Sequence, residues 1–145
     1  MGLIGNRSFL GANLIQLPMY RDDRGSLGVL EWDRDGDFEI RRVFFINVQG
    51  GEVVRAKHAS DDIQIIVAAA GGVTVDLDNG DEVASVSLDS NRFGLRIESG
   101  VWRRLRDFRP DTTLIVLADE VFANTTQYAE PQPELVQRLT RRTPT

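Results

Sequence analysis

Cysteine is missing from this chain of 145 residues, which excludes disulfides and thiolate chemistry and fits a cytoplasmic setting. Histidine and lysine occur once each, as His58 and Lys57. A single imidazole cannot build the His-rich ligand set of a metal centre within one subunit, so neither a metal nor a cofactor is expected. No apolar run approaches the roughly 20 residues that span a bilayer, which argues against a membrane protein. The first residues also lack the charged-then-apolar layout of a secretory leader and the serine or threonine of a myristoylation signal. Positive charge is in short supply. The 17 Lys and Arg stand against 22 Asp and Glu, a net charge of −5 that argues against nucleic-acid binding.

What is present is ordinary in bulk and uneven in detail. At 41% apolar and 27% charged, the composition is that of a globular protein, and the length suits one domain, residues 1–145. Acidic residues crowd segments 22–23, 33–37 and 76–82, whereas Arg103, Arg104, Arg106 and Arg109 cluster late. All basic residues but Lys57 are arginine, the side chain best suited to bidentate contact with phosphate. The chain is organised around residues 52–64, which hold Lys57 and His58 between Gly50-Gly51 and an apolar run over 65–70.

Short strands separated by turn signals run through the rest. Strand patterns cover residues 13–17, 26–31, 40–48, 53–58, 64–70, 73–77, 82–88, 93–97, 101–105 and 113–118. Of these, 26–31 alternates as a half-buried strand and 64–70 is apolar enough to be buried on both faces. Residues 21–25 and 33–37 read as turns, and Asp78-Asn79-Gly80-Asp81 carries the Asn-Gly pair favoured in hairpins. From Pro133 onward, Leu135, Val136 and Leu139 fall on one side of a helix, with a frayed terminus as the alternative. The succession predicts an all-β double-sheet jelly roll, whose mouth is a frequent ligand site.

Several stretches, in order, carry a resemblance. Leu14-Ile15-Gln16-Leu17-Pro18, Asp23-Arg24-Gly25-Ser26-Leu27 and Glu39-Ile40-Arg41-Arg42-Val43-Phe44-Phe45 look like the opening of the sugar 3,4-ketoisomerases, cupin-fold enzymes acting on dTDP-4-keto-6-deoxyglucose. The likeness continues through residues 48–51, 55–60, 93–95, Gly100-Val101-Trp102-Arg103, 114–119 and Gln127-Tyr128. It covers about residues 13–129 and leaves 130–145 as a tail or short helix. The resemblance implies a double-stranded β-helix (cupin barrel) and a metal-independent keto shift between C3 and C4 through an enediol(ate). It also implies a dTDP-linked keto-deoxysugar as ligand and a homodimer that exchanges N-terminal strands, to which an unpaired edge strand lends itself.

In that family an Arg-Gly-x-His-Ala-His pattern places two imidazoles on one face of a strand, and the second is taken as the proton carrier. This chain reads Arg55-Ala56-Lys57-His58-Ala59-Ser60, so Ala56 replaces the glycine and Ser60 the second histidine. A second pairing puts Lys57 in the place of the first histidine, and neither register restores the missing base. Three readings stay open. His58 carries the proton while Ser60 or Lys57 polarises the substrate oxygen, since an unassisted serine hydroxyl is a poor base at pH 7. Alternatively Glu98, beside Ser99 and ahead of Gly100, supplies the base. In the third, the site binds a nucleotide sugar without turning it over. Each residue has a plainer reading too: a satisfied strand histidine, a solvated carboxylate, a surface lysine.

For the diphosphate end the resemblance and residue types point to Arg41, Arg55, Arg96, Arg103 and Arg104, with Arg55 and Arg103 first and Gln64 joining the substrate-binding set. Trp102, Phe44 or Tyr128 could stack on the base. Strand alternation puts Trp102, Arg104 and Arg106 on one side and Arg103 on the other, so they cannot all serve together.

Overall fold

The computed structural model describes residues 2–31, 38–89 and 92–142. Its first strands are β1 (Gly2–Ile4), β2 (Arg7–Phe9), β3 (Ala12–Gln16), β4 (Met19–Asp22) and β5 (Gly25–Gly28). The barrel strands follow as β6 (Arg42–Val48), β7 (Arg55–Ser60), β8 (Gln64–Ala70), β9 (Val73–Asp78) and β10 (Val83–Leu88). The chain closes with β11 (Phe93–Ile97), β12 (Trp102–Arg106), β13 (Thr112–Ala118), β14 (Gln127–Tyr128) and the helix α1 (Pro133–Arg142).

Two five-stranded sheets face each other, in the orders β10-β9-β12-β7-β14 and β3-β11-β8-β13-β6. Every pairing is antiparallel, and the predicted all-β jelly roll is the fold found. Alternation decides what fills the space between the sheets. β13 sends Thr112, Leu114, Val116 and Ala118 inward, and β10 sends Ala84, Val86 and Leu88. Leu114, Val116, Ala84, Val86 and Leu88 join Val75, Leu77, Leu95, Ile97 and Leu105 in one contiguous core. Each fully buried Leu or Ile there stabilises the fold by about 2 kcal/mol.

The Asp78–Asp81 hairpin forms as its composition predicts. Asp78 Oδ1 accepts from the Gly80 amide at 2.8 Å, Asn79 Oδ1 accepts from the Asp81 and Glu82 amides at 2.9 Å each, and Gly80 takes φ +91°. The tail is helical, and α1 docks by Val136 beside Gly100, where a Cβ would lie 2.7 Å from the Gln132 carbonyl oxygen. That close approach explains the glycine.

Two expectations need correction. Residues 26–31 do not form a half-buried strand; only the short β5 forms, exposed throughout and paired with β4 alone. Burial of β8 on both faces stops at Ala68, since Ala69 and Ala70 are exposed. β1 and β2 pair with each other, and Ile4, Phe9 and Ala12 lie in the core. The turn expected over 33–37 lies outside the described residues. Among the described residues no helix is long and apolar enough to cross a membrane.

Candidate active site

One cavity of about 510 Å³ opens between the sheets, with its lining drawn mainly from β6, β7, β12 and the start of β8. Its chemistry is uneven for a protein of net charge −5. Arg42, Arg55, Lys57 and Arg103 line it together with His58, Gln64 and Gln127, and no carboxylate among the described residues does. Phe44, Phe122, Ile66, Leu105 and Val116 supply apolar wall.

The arrangement depends on a bulge in β7. His58 lies opposite Arg103 of β12, but Arg55 lies opposite Leu105, so Ala56 and Lys57 together face Arg104 alone. Arg103 and Leu105 share the inward face of β12, so the extra residue brings Arg55 onto the same face as His58. Without it, a separation of three would set the two on opposite faces. Ala56 takes φ +59°, the left-handed conformation that favours glycine and that starts one common kind of bulge.

His58 is half-buried, and its Nδ1 lies 3.3 Å from the Ala59 carbonyl oxygen. A carbonyl only accepts, so Nδ1 carries the proton and the lone pair sits on Nε2. Burial, and next the Arg103 charge, push the imidazole below its ordinary 6.5, against a smaller pull upward from Ala59 and Asp62. The ring is therefore neutral at pH 7 and able to accept a proton.

A polar network runs along and beneath the cavity. Ser60 Oγ donates to Asp62 Oδ1 at 2.5 Å, and Gln64 Nε2 donates to Asp62 Oδ2 at 3.1 Å. Arg42 Nη2 reaches the same oxygen at 3.2 Å, while its Nη1 donates to the Glu120 carbonyl oxygen at 3.1 Å. The guanidinium of Arg42 also lies 5.1 Å from the Phe44 ring centroid and 5.7 Å from that of Phe122. Arg103 is 1% exposed. It donates through Nη1 to Gln64 Oε1 at 2.9 Å and through Nη2 to the Val101 carbonyl oxygen at 2.9 Å. Burial lowers its pKa to about 10, with Asp62 pulling the other way, so it stays charged.

The structure thus gathers Arg55, Lys57, His58, Gln64, Arg103 and Phe44 around one space. Ser60 is buried below it, committed to Asp62, and does not line it. Two expected binding residues lie elsewhere. Arg41 is exposed and pairs with Glu39 at 3.3 Å. Trp102 faces away from the cavity, with the Arg104 guanidinium 5.9 Å from its ring centroid. Alternation along β12 already required that, because Trp102 and Arg103 must point to opposite faces. Arg104 and Arg96 are likewise engaged outside, with Asp76 and Glu98. Glu98, the alternative base, is buried against Arg96 and lines different cavities, as does Tyr128 in one of them. Sequence reasoning missed Arg42 and Asp62. The inward alternation of Arg42, Phe44 and Ile46 on β6 could have shown the first; nothing local marks the second.

Comparison with known proteins places the chain in a family. A protein-family model described as FdtA: WxcM-like, C-terminal matches residues 10–136. The chain belongs to that family. A TDP-4-oxo-6-deoxy-alpha-D-glucose-3,4-oxoisomerase from Aneurinibacillus thermoaerophilus is 35% identical over 72% of this chain and 76% of its own. Among solved structures, the sugar 3,4-ketoisomerase QdtA of Thermoanaerobacterium thermosaccharolyticum in complex with TDP superposes with a TM-score of 0.76. It is 25% identical and covers 94% of this chain and 100% of its own. A 3,4-ketoisomerase from Helicobacter canadensis gives the same TM-score of 0.76 at 25% identity, over 92% and 99% of the two chains. The relatives of this FdtA-family chain are isomerases of TDP-linked sugars, as the resemblance implied.

Proposed function

We propose that this FdtA-family protein is a metal-independent 3,4-ketoisomerase of a TDP-linked 4-keto-6-deoxyhexose, with His58 as its proton carrier. The observation that carries the reading is the cavity lining: a neutral imidazole among four cations, with no carboxylate among the described residues lining the space. Such a lining suits a doubly charged diphosphate at one end and a carbon acid at the other. Arg55 and Lys57, on exposed stretches of β7, serve the diphosphate, and Phe44 and Phe122 offer apolar wall. Ala56 in a left-handed conformation supports the register that sets it at the family glycine and Ser60 at the second histidine. Buried Ser60 then holds Asp62 in place rather than touching substrate.

The reaction is a single proton's journey. Nε2 of His58 takes the C3 hydrogen, and the electron pair moves into a C3–C4 double bond with charge on the C4 oxygen. The hydroxyl proton on the C3 oxygen passes to the C4 oxygen, and the imidazolium returns its proton to C4 as the C3 carbonyl forms. One imidazole implies delivery to the face from which the proton left. In a gluco substrate H3 and H4 of the parent sugar lie on opposite faces, so same-face delivery gives the galacto configuration at C4.

The exposed β4–β5 hairpin, with Tyr20 and Leu27 in solvent, and the exposed Val43 and Phe45 of the edge strand β6 support a homodimer. That arm is exposed, whereas Ile4 of β1 and Phe9 of β2 are buried, so it is better placed for exchange than β1.

A second reading, a nucleotide-sugar binder without turnover, is favoured by the withdrawal of Ser60 from the cavity. Incubation with dTDP-4-keto-6-deoxyglucose in deuterium oxide separates the two. The isomerase reading expects deuterium at C3 of recovered substrate and at C4 of a 3-keto product. Saturable TDP binding with neither label nor 3-keto product would establish the binder.

A further inference from the structure

We infer that Arg103 is the oxyanion hole of this site, its guanidinium gripping the two neighbouring oxygens of the enediolate while His58 holds the transferred proton. This deepens the ketoisomerase reading and rests on it.

The starting point is an unusual burial. A guanidinium taken out of water is costly unless it is paired, and interior arginines normally meet a carboxylate. Arg103 has no ion pair among the described residues; its partners are an amide oxygen and a carbonyl oxygen. Its Nε also points to the Val101 carbonyl oxygen, at 3.3 Å. A guanidinium has five N–H donors, of which these bonds use three. The two left over are one on each terminal nitrogen, and the residue lines the cavity. One free N–H on each terminal nitrogen can serve two cis oxygens on adjacent carbons, a planar two-donor grip that arginine offers and lysine does not.

Its position matters as much as its donors. Arg103 and His58 are directly opposed across β12 and β7. Side chains so paired have Cβ atoms about 5 Å apart, so one small substrate fragment can touch both. Gln64 and the Val101 carbonyl fix the guanidinium before substrate arrives, and a preorganised donor reorients little during the reaction.

The charges also account for themselves. In the resting site a neutral imidazole lies beside a guanidinium, and a proton placed on His58 alone would set two cations together. Transfer from C3 makes an anion at the same moment, on the oxygens between them. The imidazolium, enediolate and guanidinium then alternate in sign. The electrostatic gain therefore exists only once the C3–H bond breaks, which is the condition for lowering a barrier rather than tightening substrate. Phosphate binding, the role expected of Arg103 from sequence, falls instead to Arg55 and Lys57, which are exposed and form no ion pair among the described residues.

The test uses Arg103→Gln and Arg103→Lys, each checked for folding by circular dichroism and for affinity by titration with TDP. The expected result is a fall in kcat of about 100-fold or more in both, the loss typical of a missing oxyanion donor. TDP affinity stays within about 3-fold, far less than that. The pH profile adds a readout that a packing role does not move. Arg42, Arg55, Lys57 and Arg103 are the cations around His58, and Asp62 is the nearby anion. Removing the Arg103 charge in Arg103→Gln shifts the acid limb of kcat/KM upward, while Arg103→Lys leaves it in place. Should Arg103→Gln fail to fold, Arg103→Lys still decides through kcat. An active wild type with unimpaired kcat in the variants overturns the inference, as does loss of TDP affinity in step with kcat. A wild type that yields neither label nor 3-keto product overturns the ketoisomerase reading itself, and the inference with it.

Discussion

The two faces of β12 carry arginines in opposite circumstances. Outward, Arg104 and Arg106 share one carboxylate, Asp76, at 2.7 and 2.6 Å. Inward, Arg103 is buried and forms no ion pair with an acid among the described residues. In sequence the three are near neighbours of the same type, and a basic cluster invites a common role. The structure divides them. Arginines already neutralised stabilise the sheet, and the one left unneutralised is available to a ligand's charge.

Substitution on the outer face is the first way to break this contrast. Arg104→Met is expected to leave kcat within about 2-fold, because the residue touches no part of the cavity. A loss approaching that of the Arg103 variants, measured in the same assay, would erase the distinction between the faces.

How much of this was legible beforehand follows the same division. The jelly roll was readable because β10, β12 and β13 alternate and the Asn79-Gly80 turn fixes one register. The family was readable from short motifs in order. The cavity's membership was less so. Alternation separates Trp102 from Arg103, yet which face meets the cavity depends on β7 and β9, far away in sequence. The bulge at Ala56 was hidden because alanine gives no sign of a left-handed backbone, so Arg55 and His58 could not be placed on one face from spacing alone. Arg42 and Asp62 meet across twenty positions, and only the folded chain joins them.

Asp76 offers a second, smaller effect, on stability rather than rate. Burial resists its ionisation, but hydrogen bonds from Arg106, Ser85 and Arg104 win and hold the carboxyl well below its ordinary 3.8. A depressed carboxylate stabilises the fold above its unfolded pKa, and that contribution is lost as pH falls through about 4 toward the folded value. Asp76→Asn should therefore cost about 1–2 kcal/mol in urea unfolding at pH 7, discounted because the arginine heads are partly in water. The difference from wild type should shrink in acid while kcat is retained at neutral pH. A cost that persists unchanged at pH 3 would assign the effect to packing.

The smallest effect concerns the bulge. Ala56→Gly relieves a left-handed alanine worth about 1 kcal/mol, offset in part by the greater freedom of glycine in the unfolded chain. A net gain of about 0.5 kcal/mol in unfolding free energy is expected, with TDP affinity unchanged. Destabilisation would mean that Ala56 is not held at positive φ, and the shared face of Arg55 and His58 would need another cause.

The most direct trial of the account is proton exchange by a His58→Gln variant. With dTDP-4-keto-6-deoxyglucose in deuterium oxide, followed by NMR, wild type should place deuterium at C3 and C4. The variant should bind TDP as before and exchange at least about 1,000-fold more slowly, the combined range of a lost general base and its replacement by background water. Exchange at the wild-type rate in a protein with no imidazole would contradict the claim that His58 moves the proton.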